Sequence, residues 1–467
     1  MKFLLFVIAA SIMFTLYSFP QAPDITWTRT YGGNGVELDF GESVQQTTDR
    51  GFIICGWTGS FGLTSSAVWL IKTDAMGDTL WSKIFDTDGD DRGFSVKQTN
   101  DGGFILSGRK DTFGSTAGDV WLIKTNEFGD IIWSKTFGGN GFESGYSVKQ
   151  TFDEGFIVSG EQDFGSWLLK TDSFGDTLWT KNYLGILTSG LDVAQTSDSG
   201  YIITGYLTDI LGENLRLLKT DSEGDTLWAK TYIRGRGESV QQTNDKGYII
   251  TGYNSMWGDL CLIKADLNGN TEWIKRYGGI DDAHGFSVQQ TLDNDYIITG
   301  YNSLSAGDHN LWVLKTNSLG DTLWTKSIDD SGSEEGYSIQ QTLDGGYIIT
   351  GINGGFYQWD LWLIKLNADT VTKVSRETPP IKFMTLQNYP NPFNPSTKIS
   401  WQVPAGSWQT LKIYDVLGNE VTTLVDEYKP AGSYEVEWDA SNYPSGVYFY
   451  QLKTEKYTES KKMILMK

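Results

Sequence analysis

The 467-residue chain, with 18 Trp and an aromatic content of 14%, has length for roughly two to four domains and ample surface for packed cores. Its formal charge of −21 excludes a nucleic-acid partner, which needs a basic face, and sets the chain against anionic membranes. Neutral or cationic partners suit such a surface. Taken in chain order, Met1-Lys2 and the apolar run Phe3 to Tyr17 read as a secretory signal peptide over residues 1–22, cleaved after Ser18 or Ala22. The run is shorter than the about 20 residues of a membrane span, and no later stretch replaces it, so the mature chain is expected to carry no transmembrane span.

From residue 23 a repeat takes over. A Gln-Thr pair closes a strand pattern at Gln46, Gln98, Gln150, Gln195, Gln242, Gln290 and Gln341, with spacings of 52, 52, 45, 47, 48 and 51 residues. A period near fifty marks an array whose units cannot bury their own faces alone. The fullest unit runs Tyr337-Ser-Ile-Gln-Gln-Thr342, turn, Tyr347-Ile-Ile-Thr-Gly351, then Leu361-Trp-Leu-Ile-Lys365. Complete units add Thr-Asp-x-x-Gly-Asp, as at Thr171 to Asp176, and a fourth strand with Trp. Four antiparallel strands with nothing helical between them describe an all-β seven-bladed propeller over residues 23–366.

The third-strand Lys (Lys72, Lys124, Lys170, Lys219, Lys264, Lys315, Lys365) and the fourth-strand Trp (Trp27, Trp81, Trp133, Trp179, Trp228, Trp273, Trp324) both occur seven times. The Trp series is shifted: its first member precedes the first complete unit. Ile25 to Tyr31 is therefore expected to supply the outer strand of the seventh blade and leave no long free edge. The turn Asp/Asn-x-x-Gly-Asp-Thr-x-Trp is similar to the blade turn of pyrroloquinoline-quinone-type propellers, and more loosely to the sialidase Asp-box, whose Asp-to-Gly spacing is one residue shorter. These resemblances support the fold and not a chemistry.

A residue present in every unit is read as structural. The Gln is expected to satisfy backbone groups between blades, the Lys to pair with turn carboxylates, and the Trp to pack between or within blades. Cys55 and Cys261 fall in units one and five, too far apart for a disulfide, and read as packing residues.

The connections that differ from unit to unit should share one face, where function concentrates. They carry acids and aromatics, which suit glycans: rings stack on sugar faces and carboxylates accept from hydroxyls. The candidate binding residues are Trp57, Asp88, Asp90, Phe113, Trp257, Asp281, Asp282, His284, Tyr357 and Trp359. Asp192, Arg216, Arg234 and Arg236 also break the repeat. Asp86, Asp88 and Asp90 have the 1, 3, 5 oxygen spacing that opens a calcium loop, but Asp91 and Lys97 stand where an EF-hand needs Gly and Glu. No catalytic motif accompanies His284 or His309. No catalytic residue and no cofactor other than calcium is expected. The reading is a binding protein for an extracellular glycan or protein. The alternatives are a secreted carbohydrate-active enzyme on the same scaffold and a structural surface-layer component.

Residues 367–385, with Pro379-Pro380, read as a linker. Residues 386–467 change to short strands (Lys398–Val403, Leu411–Val416, Glu420–Val425, Tyr434–Trp438, Val447–Lys453, Lys462–Met466), the pattern of a small immunoglobulin-like sandwich. This segment closely resembles the type A C-terminal sorting domain of the bacterial type IX secretion system. The matching motifs are Asn388-Tyr-Pro-Asn-Pro-Phe-Asn-Pro395, Ile413-Tyr-Asp-Val-Leu-Gly418, Pro444-Ser-Gly-Val-Tyr448 and Lys462-Met-Ile-Leu-Met-Lys467. The resemblance implies a sorting signal involving Pro390, Asn391, Pro392, Gly446, Lys462 and Lys467, recognition by the type IX machinery, and passage through the periplasm. The cargo is then expected at the outer-membrane surface, or in the medium, of a Gram-negative-type bacterium.

Overall fold

The structure, a computed structural model, describes residues 21–33, 37–61, 63–87, 89–111, 118–139, 141–163, 165–278, 282–305, 308–330, 332–355, 358–369, 385–403, 407–429, 432–454 and 458–467. The apolar leader and most of the expected linker lie outside these residues. The chain divides into two compact units, Met1–Thr370 and Val371–Lys467. As expected of an all-β chain, the regular elements among the described residues are strands and none is a helix.

In the first unit the strands form antiparallel four-stranded meanders, each paired in chain order. Their leading strands are Asp39–Gln46, Arg92–Gln98, Glu143–Gln150, Ser189–Gln195, the second half of Thr226–Gln242, Ala283–Gln290 and Glu335–Gln341. Thr226–Gln242 is one 17-residue strand that ends the fourth meander and opens the fifth, so no loop intervenes there. It turns at Gly235 (φ 139°), where a Cβ would lie 1.8 Å from the Tyr253 carbonyl oxygen. Second and third strands such as Phe52–Thr58 and Ala67–Thr73 are buried along their whole length, because a neighbouring sheet covers each face. Fourth strands such as Thr79–Phe85 alternate instead, with one side in solvent.

The seventh meander lacks a fourth strand of its own. Ile25–Tyr31 takes that place, pairing with Gln358–Leu366 in the register Trp27↔Lys365 and Tyr31↔Leu361. The Asn367 N–H donates to the Asp24 carbonyl at 3.0 Å beyond the end of the pairing.

Repeated residues join each sheet to the next. The carboxamide oxygen of each Gln of the Gln-Thr pair accepts from a backbone N–H in the turn of the preceding sheet: Gln98 from Thr48 at 2.9 Å, Gln150 from Asn100 at 2.9 Å, and so on. The series returns to its start, for Gln46 accepts from Leu343 of the seventh sheet at 2.8 Å. Each fourth-strand Trp meets the aromatic residue that opens the second strand of the next sheet, as Trp81 meets Phe104 at 5.9 Å and Trp324 meets Tyr347 at 6.0 Å. The same ring covers the next turn glycine: Gly129 (φ 77°) would place a Cβ 2.7 Å from Trp81. A link not anticipated from sequence runs alongside, from Lys83 to Asp130 and Lys135 to Asp176, between fourth strands and the following turns.

Within each sheet the repeated Lys is buried and paired with the Asp of the Gln-Thr turn: Lys72 with Asp49 (2.9 Å), Lys124 with Asp101 (2.9 Å), Lys365 with Asp344 (3.0 Å). That bond and the Thr47 hydroxyl hold the Asp49 carboxyl below its ordinary pKa, against a partial burial that would raise it. The Lys carries most of the desolvation, so removing its partner strands a charge in the core. Asp49→Ala is expected to cost about 3 kcal/mol in urea unfolding, whereas removal of the exposed Asp130 costs under about 1 kcal/mol.

Both cysteines are fully buried and free, and burial pushes their thiols well above the ordinary range.

The second unit pairs a three-stranded sheet (Thr385–Tyr389, Ser396–Val403, Gly432–Asp439) with a four-stranded one (Glu420–Lys429, Ser407–Tyr414, Gly446–Lys453, Thr458–Leu465). The strand expected to end at Val416 stops at Tyr414, because Asp415 opens a turn by accepting from the N–H groups of Leu417 and Asn419. Leu386, Ile399, Trp401, Trp438, Tyr450 and Met463 belong to one core between the sheets.

Candidate functional site

Each leading strand carries a glycine (Gly41, Gly93, Gly145, Gly190, Gly237, Gly285, Gly336) packed against the preceding sheet. At Gly41 a Cβ would lie 2.3 Å from Thr350 Oγ1. The residue before that glycine faces a second-strand partner, and here no residue recurs through all seven sheets. The pairs are Phe40↔Trp57, Arg92↔Arg109, Ser144↔Glu161, Ser189↔Tyr206, Arg236↔Tyr253, His284↔Tyr301 and Glu335↔Ile352. The residue after the glycine varies as freely: Glu42, Phe94, Tyr146, Leu191, Glu238, Phe286, Tyr337. These positions lie where the connections that enter the leading strands meet those between second and third strands, joined by bonds such as Gly59 N–H to the Leu38 carbonyl and Asp91 N–H to the Ser66 carbonyl, both 2.9 Å.

From the fifth sheet round to the first, the side chains form one aromatic arc. Tyr253 and His284 rings are 4.5 Å apart, His284 and Phe286 4.4 Å, Phe286 and Tyr337 5.0 Å. Tyr337 and Phe40 follow at 6.2 Å, Phe40 and Trp57 at 4.2 Å, and Trp359 meets Phe40 edge-on at 5.5 Å. Tyr301 adds a stacked pair with His309 at 3.9 Å. Most of these rings are half-buried, leaving part of each open.

Carboxylates punctuate the arc. Glu238 meets His284 Nε2 at 3.1 Å, and Glu335 meets His309 Nδ1 at 2.7 Å and the Tyr337 hydroxyl at 3.0 Å. Glu213 accepts from the Tyr253 hydroxyl at 3.0 Å and from both arms of Arg236, which hold its carboxyl below the ordinary range. Glu42 accepts from Trp57 Nε1 at 3.2 Å, and burial pushes its pKa up to about 7. A cavity of about 520 Å³ opens beside the arc between Arg236, Tyr253, Asp282, His284 and Tyr301. Sheets two to four carry the rim on with Phe94 and Tyr146, whose rings are 5.4 Å apart, and with Tyr206 beneath Arg236, among Ser144, Ser189 and Leu191.

Of the residues singled out in the sequence, Trp57, His284 and Trp359 lie in the arc and Asp282 borders the cavity. Trp57 is more enclosed than a loop residue would be: it is 7% exposed, with Arg92 4.6 Å over its ring. Trp257 stands apart, 62% exposed beneath Arg276. Asp90 is spent on Ser66, Arg92 and Arg109. Asp88, Phe113, Asp281 and Tyr357 lie outside the described residues. No group of three or more His, Cys, Asp or Glu side chains poised to share a metal occurs among the described residues. Arg216 and Arg234 fasten loops by donating to the carbonyls of Ile186 (2.6 Å) and Leu211 (3.3 Å). Asp39, an acid of the variable connections, is buried and holds its connection in place by accepting from Gly33 N–H and Ser60 Oγ, whereas burial of Glu334 pushes its pKa up to about 7.

Phe40, Glu42, Tyr253, Tyr301 and Tyr337 were not singled out from the sequence because they belong to strands rather than to the variable connections; Glu335 stood among the acids of those connections. The signal was present: they are the non-repeating columns of otherwise repeating strands.

In the second unit, Asn391 clasps the last strand, accepting from the Ile464 N–H (2.9 Å) and donating to the Lys462 carbonyl (3.2 Å). The Pro390 carbonyl accepts from Thr397 Oγ1 (2.8 Å), Gly446 pairs with Leu465, and Lys467 Nζ donates to the Ser441 carbonyl (2.6 Å). Pro392 leads into Phe393, whose N–H donates to the Ile464 carbonyl at 2.9 Å.

No curated protein sequence matches the chain. Among solved structures it is similar to PorZ, a surface component of the type-IX secretion system of Porphyromonas gingivalis (9% identity, 91% of this chain and 81% of that one, TM-score 0.28). It is also similar to Drosophila Plexin A in complex with Semaphorin 1b (6%, 74% and 88%, 0.44) and to Sqt1 of Chaetomium thermophilum (9%, 94% and 100%, 0.43). Likenesses this distant say nothing of what the chain does. Residues 387–466 match the family model described as the secretion system C-terminal sorting domain, and the chain therefore carries the type IX sorting tail of a secreted protein.

Proposed function

We propose that the protein is a seven-bladed β-propeller that a C-terminal immunoglobulin-like sorting domain delivers to the cell surface, where the propeller binds an extracellular glycan. The closed series of glutamine bonds through Gln46 supports the propeller. The aromatic arc carries the binding reading: a scaffold repeated in every sheet spends its non-repeating positions on half-exposed rings edged by carboxylates, the composition that holds sugar faces and hydroxyls. The test is glycan-array binding by the full chain and by Tyr301→Ser, with circular dichroism to confirm folding. Glycan binding that falls roughly tenfold or more in the variant supports the reading. A protein ligand in place of a glycan, or binding untouched by the substitution, refutes it.

Glu42 favours a second reading, a glycoside hydrolase. A carboxyl kept protonated near neutrality beside Glu335 has the makings of a general acid. Product release separates the two: a hydrolase turns glycan over and loses turnover in Glu42→Gln while still binding, whereas a binder releases no product in either form. The stability effect of Glu42 is signed. The folded pKa lies above the ordinary 4.5, so the group's contribution is full below that value and is lost as pH rises through about 7. Glu42→Gln should flatten the fall in melting temperature across that window.

A further inference from the structure

The seven leading strands enclose a cavity of about 320 Å³ whose lining includes Glu42, Lys97, Lys149, Asp192, Glu238 and Gln289. One layer of it is built on a seam rule. The residue before the Gln-Thr pair accepts, through a glutamine carboxamide, the N–H of the Gln in the next sheet. Gln45 takes the Gln98 N–H at 2.8 Å, Gln241 the Gln290 N–H at 2.6 Å, Gln289 the Gln341 N–H at 2.6 Å and Gln340 the Gln46 N–H at 2.6 Å. At the three contiguous seams between these, the equivalent residues are Lys97, Lys149 and Ala194. None of those side chains accepts a hydrogen bond, so the N–H groups of Gln150, Gln195 and Gln242 lose the acceptor the other seams supply.

Charge in this sector does not balance. Asp192 stands where the other six sheets have Ser, and its carboxylate is fully engaged. One oxygen accepts from Ser147 Oγ (2.7 Å), Lys149 Nζ (3.1 Å) and its neighbour's N–H; the other accepts from the Val240 N–H (3.1 Å) and Ser239 Oγ (3.3 Å). One carboxylate therefore faces two amines, and Lys97 is left without an anionic partner among the described residues. We propose that a small oxyanion, carboxylate or phosphate in type, binds in this cavity between Lys97 and Lys149, beside the seams that lack a glutamine.

Ala194 removes a side chain at the same level and leaves room for it. Burial, and then repulsion from Lys149, lower the Lys97 pKa to about 7 in the ion-free protein, with Asp192 opposing; Glu42 and Glu238 are the other charged groups lining the cavity. An amine so poised gains a proton when an anion arrives. The inference stands apart from whatever the aromatic rim binds.

Calorimetric titration of the full chain with phosphate, acetate and chloride at pH 6.5 tests it. Phosphate or acetate should bind, and the stronger of the two tells which oxyanion chemistry the site prefers. Lys97→Gln installs the residue four seams already carry, so the fold should tolerate it, and oxyanion affinity should fall roughly ten- to hundredfold. Lys149→Gln provides the second variant and should weaken binding likewise. Equal affinity in parent and Lys97→Gln overturns the proposal. So does a parent that binds chloride alone or none of the three, a result that does not depend on either variant folding.

Discussion

Deleting Asp24–Tyr31 is expected to lower the melting temperature of the full chain by about 10 °C or more. The segment is the entire fourth strand of the seventh sheet, in register with Gln358–Leu366. Trp27 within it is 9% exposed and packs with Phe52 of the first sheet at 5.9 Å, so its loss alone forfeits roughly 4 kcal/mol or more of apolar burial. At about 2–4 °C per kcal/mol for a large domain, the Trp term accounts for most of the shift. The deletion also bares Gln358–Leu366 as a free edge, so self-association should rise with it. Calorimetry with light scattering reads both. A melting curve like the parent's would mean the strand is an ornament, and would count against the proposed propeller.

Removing Thr458–Lys467 should abolish export and unfold the second unit. The strand supplies Met463 and Leu465 to the core and pairs with Gly446–Lys453 along its length. It is also the partner that Asn391 and Phe393 hold at the other end of the module. Two buried side chains are worth about 2–5 kcal/mol each, comparable with the whole stability of so small a domain. Cell fractionation should find the truncated protein in the periplasm, with the first unit still folded by limited proteolysis. Asn391→Ala is the gentler probe, cutting the clasp while leaving the core intact. Normal surface delivery of the truncated chain would show that the tail is not the address.

Much of the fold could be read from the chain because its rules are written seven times. Gln98 alone means little, but Gln46 through Gln341 at a steady period announce a seam, and the displaced Trp27 announces a strand lent across the sequence. Lys72 and its counterparts were legible for the same reason: a lysine recurring in an apolar strand must meet an acid. The site was harder. Trp57 and His284 stood out as types, yet the arc depends on which ring lies beside which across sheets, and no local pattern encodes that. Phe40 and Tyr337 sit in ordinary alternating strands whose neighbours come from sheets about fifty or about three hundred residues away. Loop carboxylates misled for the opposite reason. Asp39 and Glu334 look like ligand groups in the sequence, but Asp39 is taken up by Gly33, Thr58 and Ser60 of its own connections and Glu334 is buried.

The lent strand also fixes an order of events. Its partner ends at Leu366, so some 340 residues must be made before the earliest strand of the array finds its mate. Until Leu366 has been made the array stays unlocked, with Trp27 waiting for its place. The first unit therefore gains a latch whose two halves are the first and last strands of its own array to be made.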